Sequence, residues 1–428
     1  MGSESIAPNG WMLLPFVALL LSLALGPLFF PNWWEKHYAK VVVLPAAITL
    51  GYYLLGLRAH GRVLQAGHEY ICFIVLIGSL FVVSGGIHIK VRGEATPGRN
   101  TLFLLTGAVL ANLLGTTGAS ILLIRPWIRM NKNRITAHQV VFFIFIVSNV
   151  GGCLTPVGDP PLFLGYLKGI PFWWVAEHCW KIWVVGVSFL LALFYAIDAL
   201  NYRRAPEEAR ARSADPGDPW RFEGLWNIGF LLIILGAVFI EHPFFVRETL
   251  MTGAAAGSWI TTKKPIHEAN QFNFHPLKEV AILFAGIFAT MLPALDWLEL
   301  NAGQLGTPSP ALFYWSSGIL SSFLDNAPTY LSFFSATVGL LAGPHPGVEA
   351  AGGVLAGDKG FSGYIVAISI GAVFFGANTY IGNAPNFMVK SIAEQQKVRL
   401  PGFLGFIFKY TLPCMAPMLV LVWLLFFR

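Results

Sequence analysis

Charged side chains are scarce in this 428-residue chain. Only 12% of residues are Asp, Glu, Lys or Arg, while 55% are hydrophobic; a soluble domain carries roughly a quarter charged. That shortfall, with a mean hydropathy of +0.63, excludes an ordinary soluble domain and predicts an all-α polytopic membrane protein. Cysteine is scarce too. Cys72, Cys153, Cys179 and Cys414 stand far apart in apolar stretches. They have neither metal-ligand spacing nor a disulfide framework, and read as free buried thiols. The chain lacks a Walker loop, haem ligands and a nucleophile constellation, so neither an enzyme nor a bound cofactor is expected. No basic aromatic surface accompanies the net charge of +6, so nucleic acid is not an expected partner. No basic cluster precedes Trp11, and the first apolar run is expected to be a true span, not a cleaved signal.

What the chain has in quantity is apolar runs near the length of about twenty residues that a bilayer demands. Residues 1–200 hold three spans between 11 and 90, an interrupted run over 101–128, a broken segment over 138–168 and a span over 173–200. A polar linker follows at 201–220. Residues 221–428 repeat the order: spans within 222–298, an interrupted run over 311–341, a broken segment over 361–394 and a last span over 403–427. The two interrupted runs read as re-entrant hairpins and the two broken segments as discontinuous helices, with about ten spans in all.

The interruptions carry the polar residues. The first break reads SNVGGCLTPVGDPPLF from Ser148 to Phe163, with Asn149, Gly151, Gly152, Thr155, Gly158 and Asp159. The second reads GANTYIGNAPNF from Gly376 to Phe387, with Asn378, Gly382 and Asn383. Proline removes an amide donor and glycine frees the backbone, so neither stretch can stay helical. Unwound backbone at membrane depth survives only inside protein or beside a wet cavity. The hairpin tips are centred on Asn112 in one half and on Asp325-Asn326 in the other. Matching interruptions in two halves point to a transporter's binding site.

Lys and Arg test the topology. With the interrupted runs treated as hairpins, these residues fall about three to one on one face, the bias of positive-inside sorting. Both termini then lie outside, the linker lies inside, and the hairpins enter from opposite sides as an inverted repeat.

Free carbonyls and neutral Asn and Thr oxygens suit a hard monovalent cation. Na⁺ is expected at Asn112, Asp159, Asp325 and Asn326. No arginine lies near the tips or breaks to clamp a carboxylate substrate. Burial penalises a charged carboxylate, so protons would compete with Na⁺. Simpler readings stand beside these. Asn112 could serve helix packing, and Asp159 could cap the half-helix opening at Pro160. Asp325 has no such alternative, because an intramembrane carboxylate is costly. Asp198, Glu248, Asp296, His88 and Glu241 sit near span ends, where snorkelling or capping accounts for them. Glu69 and Glu279 open related helices and favour the positive dipole end.

Two tips and two Gly/Pro breaks in this order resemble the ion transporter superfamily, and most closely its sodium/proton antiporter branch with its citrate-transporter-like relatives. The resemblance covers nearly everything from Tyr70 onward apart from the linker. The superfamily's Ser-Asn-Thr tips are replaced here by Ala111-Asn112-Leu113 and Asp325-Asn326-Ala327, so the hydroxyls that hold dicarboxylates in the superfamily's symporters are partly missing. The resemblance implies a homodimer with a fixed scaffold and an elevator-type moving domain that carries the hairpins and broken helices, in the inner membrane of a bacterium. The expected activity is exchange of Na⁺ or Li⁺ for H⁺; the alternative is a Na⁺-coupled citrate or dicarboxylate transporter. An ATPase-driven oxyanion pump subunit and a non-transporting scaffold are more distant alternatives.

Overall fold

The computed structural model describes residues 7–90, 95–207, 221–240, 242–243, 245–301, 308–341 and 359–428. Arg92, Glu241, the linker from 208 to 220 and the Gly-rich stretch from 342 to 358 lie outside the described residues. Among the described residues the regular structure is helical apart from one strand pair. Among the described residues, eight helices are long and apolar enough to cross a membrane. It is an all-α polytopic membrane protein. Eight differs from the expected ten because Asn227–Val238, Val246–Thr261 and the two parts of the first broken segment are each too short to count, while the folded-back Pro97–Met130 counts as one.

The first three helices, α1 (Leu14–Phe29), α2 (Pro31–Gly51) and α3 (His60–Gly85), pack with α8 (Asn227–Val238), α9 (Val246–Thr261) and α11 (His275–Thr290). A short α10 (Lys264–Ala269) precedes α11, and α12 (Leu292–Asn301) continues it. Gly286 lets α2 close onto α11, since a Cβ there would run into Val42. Phe73 of α3 stacks on Phe284 of α11 with centroids 4.6 Å apart.

In α4 (Pro97–Met130) the chain folds back on itself at Gly115, where φ is 73° and ψ 154°. Its two ends meet: Asn100 Nδ2 donates to Asn131 Oδ1 at 2.8 Å, and the Phe103 and Trp127 rings lie 5.2 Å apart. Then come α5 (Ala137–Ile146), the break, α6 (Pro160–Leu167) and α7 (Trp174–Arg204). From His138 to Ile146 α5 is buried throughout, and from Val140 onward it is apolar on every side.

The second half shows the same devices. Helices α13 (Pro310–Ser321) and α14 (Asn326–Leu341) form a hairpin, their Phe313 and Phe333 rings 5.6 Å apart. Next are α15 (Lys359–Phe375), a second break and α16 (Ala384–Gln395). The chain ends in α17 (Phe403–Phe406), a π-helical stretch Ile407–Met415 that contains Pro413, and α18 (Ala416–Phe426). Strands β1 (His88–Lys90) and β2 (Arg221–Glu223) pair antiparallel below the spans.

Several charged residues do more than cap or snorkel. Asp198 is fully buried at the base of the α4 hairpin. It accepts from Arg134 at 2.6 and 2.7 Å, from Gln139 and Asn100 at 3.0 Å each, and meets His138 Nε2 at 3.1 Å. Asp296 takes Tyr53 Oη at 2.7 Å and Arg62 at 2.8 Å. His88 meets Asn270, and Glu248 pairs with Arg247. Glu69 does not open a helix, because α3 begins at His60; it pairs with Lys168 at the end of α6, joining α6 to α3.

Candidate functional site

Both tips and both breaks converge on one buried carboxylate. Asp159 stands in the N-cap position of α6 with extended backbone, φ −140° and ψ 142°, yet its side chain makes no capping bond. It accepts instead from three other segments: Thr116 Oγ1 at 2.7 Å from the first tip, Asn326 Nδ2 at 2.8 Å from the second, and Asn383 Nδ2 at 3.3 Å from the second break. All four residues are buried. Among the described residues no Lys or Arg bonds to this carboxylate. Asp325 reverses the reading made from its neighbours in sequence. It is a cap: its Oδ1 accepts the Ala327 amide at 3.1 Å in the first turn of α14. It also faces a cleft.

A shared register relates the halves. Thr155 Oγ1 donates to the Asn112 carbonyl at 2.6 Å and accepts the Gly158 amide; Thr379 Oγ1 donates to the Ser322 carbonyl at 2.5 Å and accepts the Gly382 amide. Each threonine thus staples its break to the neighbouring tip. Asp159 and Asn383 follow the paired glycines, and Thr116 and Asn326 correspond at the tips. Gly152 and Gly376 sit where the chain passes its neighbours too closely for a Cβ, as do Gly158 and Gly382.

The other residues singled out in sequence divide into groups. Asn112 is committed to packing: it donates to the carbonyls of Ala108 and Gly151 and accepts the Leu154 amide. Gly151, buried against Ala108, supplies one of those carbonyls. Asn149 joins the centre through Asn383 and Asn386, at 3.1 and 2.7 Å. Asn378 donates to Ser322 at 2.9 Å and leaves its buried Oδ1 without a partner. Thr116, Ser148, Ser321, Ser322, Thr379 and Asn386 belong to the same network, and sequence reasoning passed over them. Superposing Gly158 on Gly382 in the sequence would have exposed Thr155 and Thr379 as a pair.

A cleft opens beside the network. One wall carries Thr117, Asp325, Asn383 and Pro160; the other is Ile77 and Phe81 of α3 with Leu277, Val280 and Phe284 of α11. The polar wall belongs to the interrupted elements and the apolar wall to the early spans of each half. Elsewhere, His68, Cys72 and Glu248 bring three ligand atoms within 4.8 Å of one another. Arg247, however, bonds Cys72 Sγ at 3.0 Å and Glu248 at 2.8 Å, putting positive charge where a metal cation would sit.

The family described as "Putative citrate transport" matches residues 5–427. The chain belongs to that family. An "Uncharacterized transporter" of Mycobacterium bovis is 24% identical over 383 residues, covering 83% of this chain and 84% of the relative. One of Mycobacterium tuberculosis shows the same figures. The "46 kDa membrane protein" of Mycobacterium leprae is 26% identical over 321 residues, 71% of each chain. This member of the family is an integral membrane transporter.

Proposed function

We propose that the protein is a secondary active transporter that exchanges Na⁺, or Li⁺, for H⁺ at Asp159, with Asp325 at the mouth of the site. The observation that carries this reading is a single fully buried carboxylate with only neutral partners at the meeting point of all four interruptions. Each interruption brings one helix C-terminus and one N-terminus to the centre, so their opposite partial charges largely offset. Side chains then set the sign of the occupant, and they favour a cation. A carboxylate cannot hold a proton and Na⁺ at once, and that exclusion couples the two flows.

Movement follows the cleft. Hairpins and broken helices form the polar wall and would travel as one body past the apolar wall of the early spans, exposing Asp159 to either side, with both termini outside. The working form is a homodimer in the inner membrane of a bacterium. The family description and the amide donors around Asp159 favour a second reading, Na⁺-coupled uptake of citrate.

Proteoliposome flux separates the two. With a pH dye inside and Na⁺ steps outside, wild type should move protons without citrate. Asp159→Asn should abolish that movement, and so should Asp325→Asn, which keeps the α14 cap because Asn caps as well as Asp. Proton movement by a folded Asp159→Asn variant, or transport that requires citrate, defeats the exchange reading.

A further inference from the structure

Among the described residues, buried cations have anionic partners, with one exception. Arg134 meets Asp198, Arg62 meets Asp296, Arg247 meets Glu248 and Lys168 meets Glu69. Arg125 is 8% exposed and pairs with no carboxylate among the described residues. Its Nε has no partner among the described residues. Its one bond among the described residues is long, from Nη2 to Gln271 Oε1 at 3.4 Å. Arg129 lies one helical turn further along the same hairpin arm, exposed, with Nη2 3.4 Å from the Ala269 carbonyl.

Residues four apart on a helix are neighbours, and like charges so placed repel. A buried guanidinium without a counter-ion is strongly disfavoured. The place between these arginines and the Lys264–Gln271 segment therefore has two positive charges and calls for a negative one. A guanidinium is a planar fork of donors that matches phosphate oxygens. The depth fits as well. Trp259 and Phe274 are each more than 40% exposed, and Lys263 and Lys264 are exposed beside them, the composition of the headgroup layer.

We propose that Arg125 and Arg129, facing Gln271 and the end of α10, form a binding site for a phosphate-bearing anion, either the headgroup of an anionic phospholipid or free phosphate. The site is separate from Asp159. Arg125 lies nine residues along the arm from Thr116, about 13 Å at 1.5 Å per residue. It also spans two bodies. The Lys264–Gln271 segment is tied to the end of α3 by Asn270, which donates to the Gly85 and Ile87 carbonyls at 2.8 Å each. A phosphate held here bridges the first hairpin and the early spans in this conformation and is released when the hairpin moves.

The test compares melting of wild type, Arg125→Met and Arg129→Gln in nanodiscs. Three media are used: phosphatidylcholine alone, phosphatidylcholine with phosphatidylglycerol, and phosphatidylcholine with added sodium phosphate. In phosphatidylcholine alone, Arg125→Met should melt at or above wild type, because it removes an unpaired buried charge. Phosphatidylglycerol or phosphate should raise wild type by a few degrees and leave Arg125→Met unmoved. Arg129→Gln should bind about tenfold more weakly. A gain with phosphatidylglycerol alone assigns a lipid headgroup, and a gain with phosphate assigns the free anion; both support the site. No gain by wild type in any medium overturns it, as does an equal gain by Arg125→Met. An Arg125→Met variant that melts well below wild type in phosphatidylcholine alone also overturns it. None of these readouts depends on which ion the transporter moves.

Discussion

Gly115 reverses the first hairpin at a φ of 73°, with the Val157 carbonyl 3.2 Å from where a Cβ would stand. An L-residue is strained in that region and has little room there. Gly115→Ala should therefore lower stability by about 1 kcal/mol or more, read as a lower melting temperature. Gly98, with open space around its Cβ position, serves as the near-neutral control. At this scale the sequence was legible by residue type and not by partner. That Asp159 would stand in an unwound stretch was readable from a carboxylate set between Gly158 and Pro160. That Asp325 caps a helix while Asp159, in a cap position, does not was unreadable, because both are Asp at helix starts. Only the long-range partners, Thr116, Asn326 and Asn383, separate them.

Among elements, the hairpins and breaks were the most legible, because Gly and Pro in apolar runs admit few other readings. The short α8 and the β1–β2 pair were not, since twelve apolar residues fit many structures and a three-residue strand leaves no period. Least legible was the fastening of the first hairpin's base. Arg134, His138 and Asp198 are up to 64 residues apart in sequence, so neither spacing nor pattern links them. Asp198→Asn should leave Arg134 buried without its partner and cost about 3–5 kcal/mol, as breaking a buried pair does. Thermal melting in detergent should show a large drop. Glu223→Gln, which breaks the exposed Lys90–Glu223 pair, should shift melting little, since exposed pairs contribute about 0–1 kcal/mol.

For the whole molecule, the order of interruptions recurs in the second half of the sequence, and Thr155 and Thr379 make matching bonds. How the halves touch was not readable, because those contacts join segments far apart in sequence, as Asn326 joins Asp159 across 167 residues. One such contact bears on speed rather than selectivity. Lys168 ends α6 and Glu69 lies within α3, both buried. In the proposed cycle α6 travels and α3 stays, so every crossing must pull apart a pair of charges that are already out of water. The barrier this raises is the same for a loaded and an empty carrier, and the pair acts as a clock. Replacing both partners with apolar residues, Lys168→Met with Glu69→Leu, removes the charges without orphaning either one. Turnover should rise and its temperature dependence should flatten, while the half-saturating Na⁺ concentration stays where it was. Unchanged turnover would mean that α6 and α3 stay joined throughout the cycle.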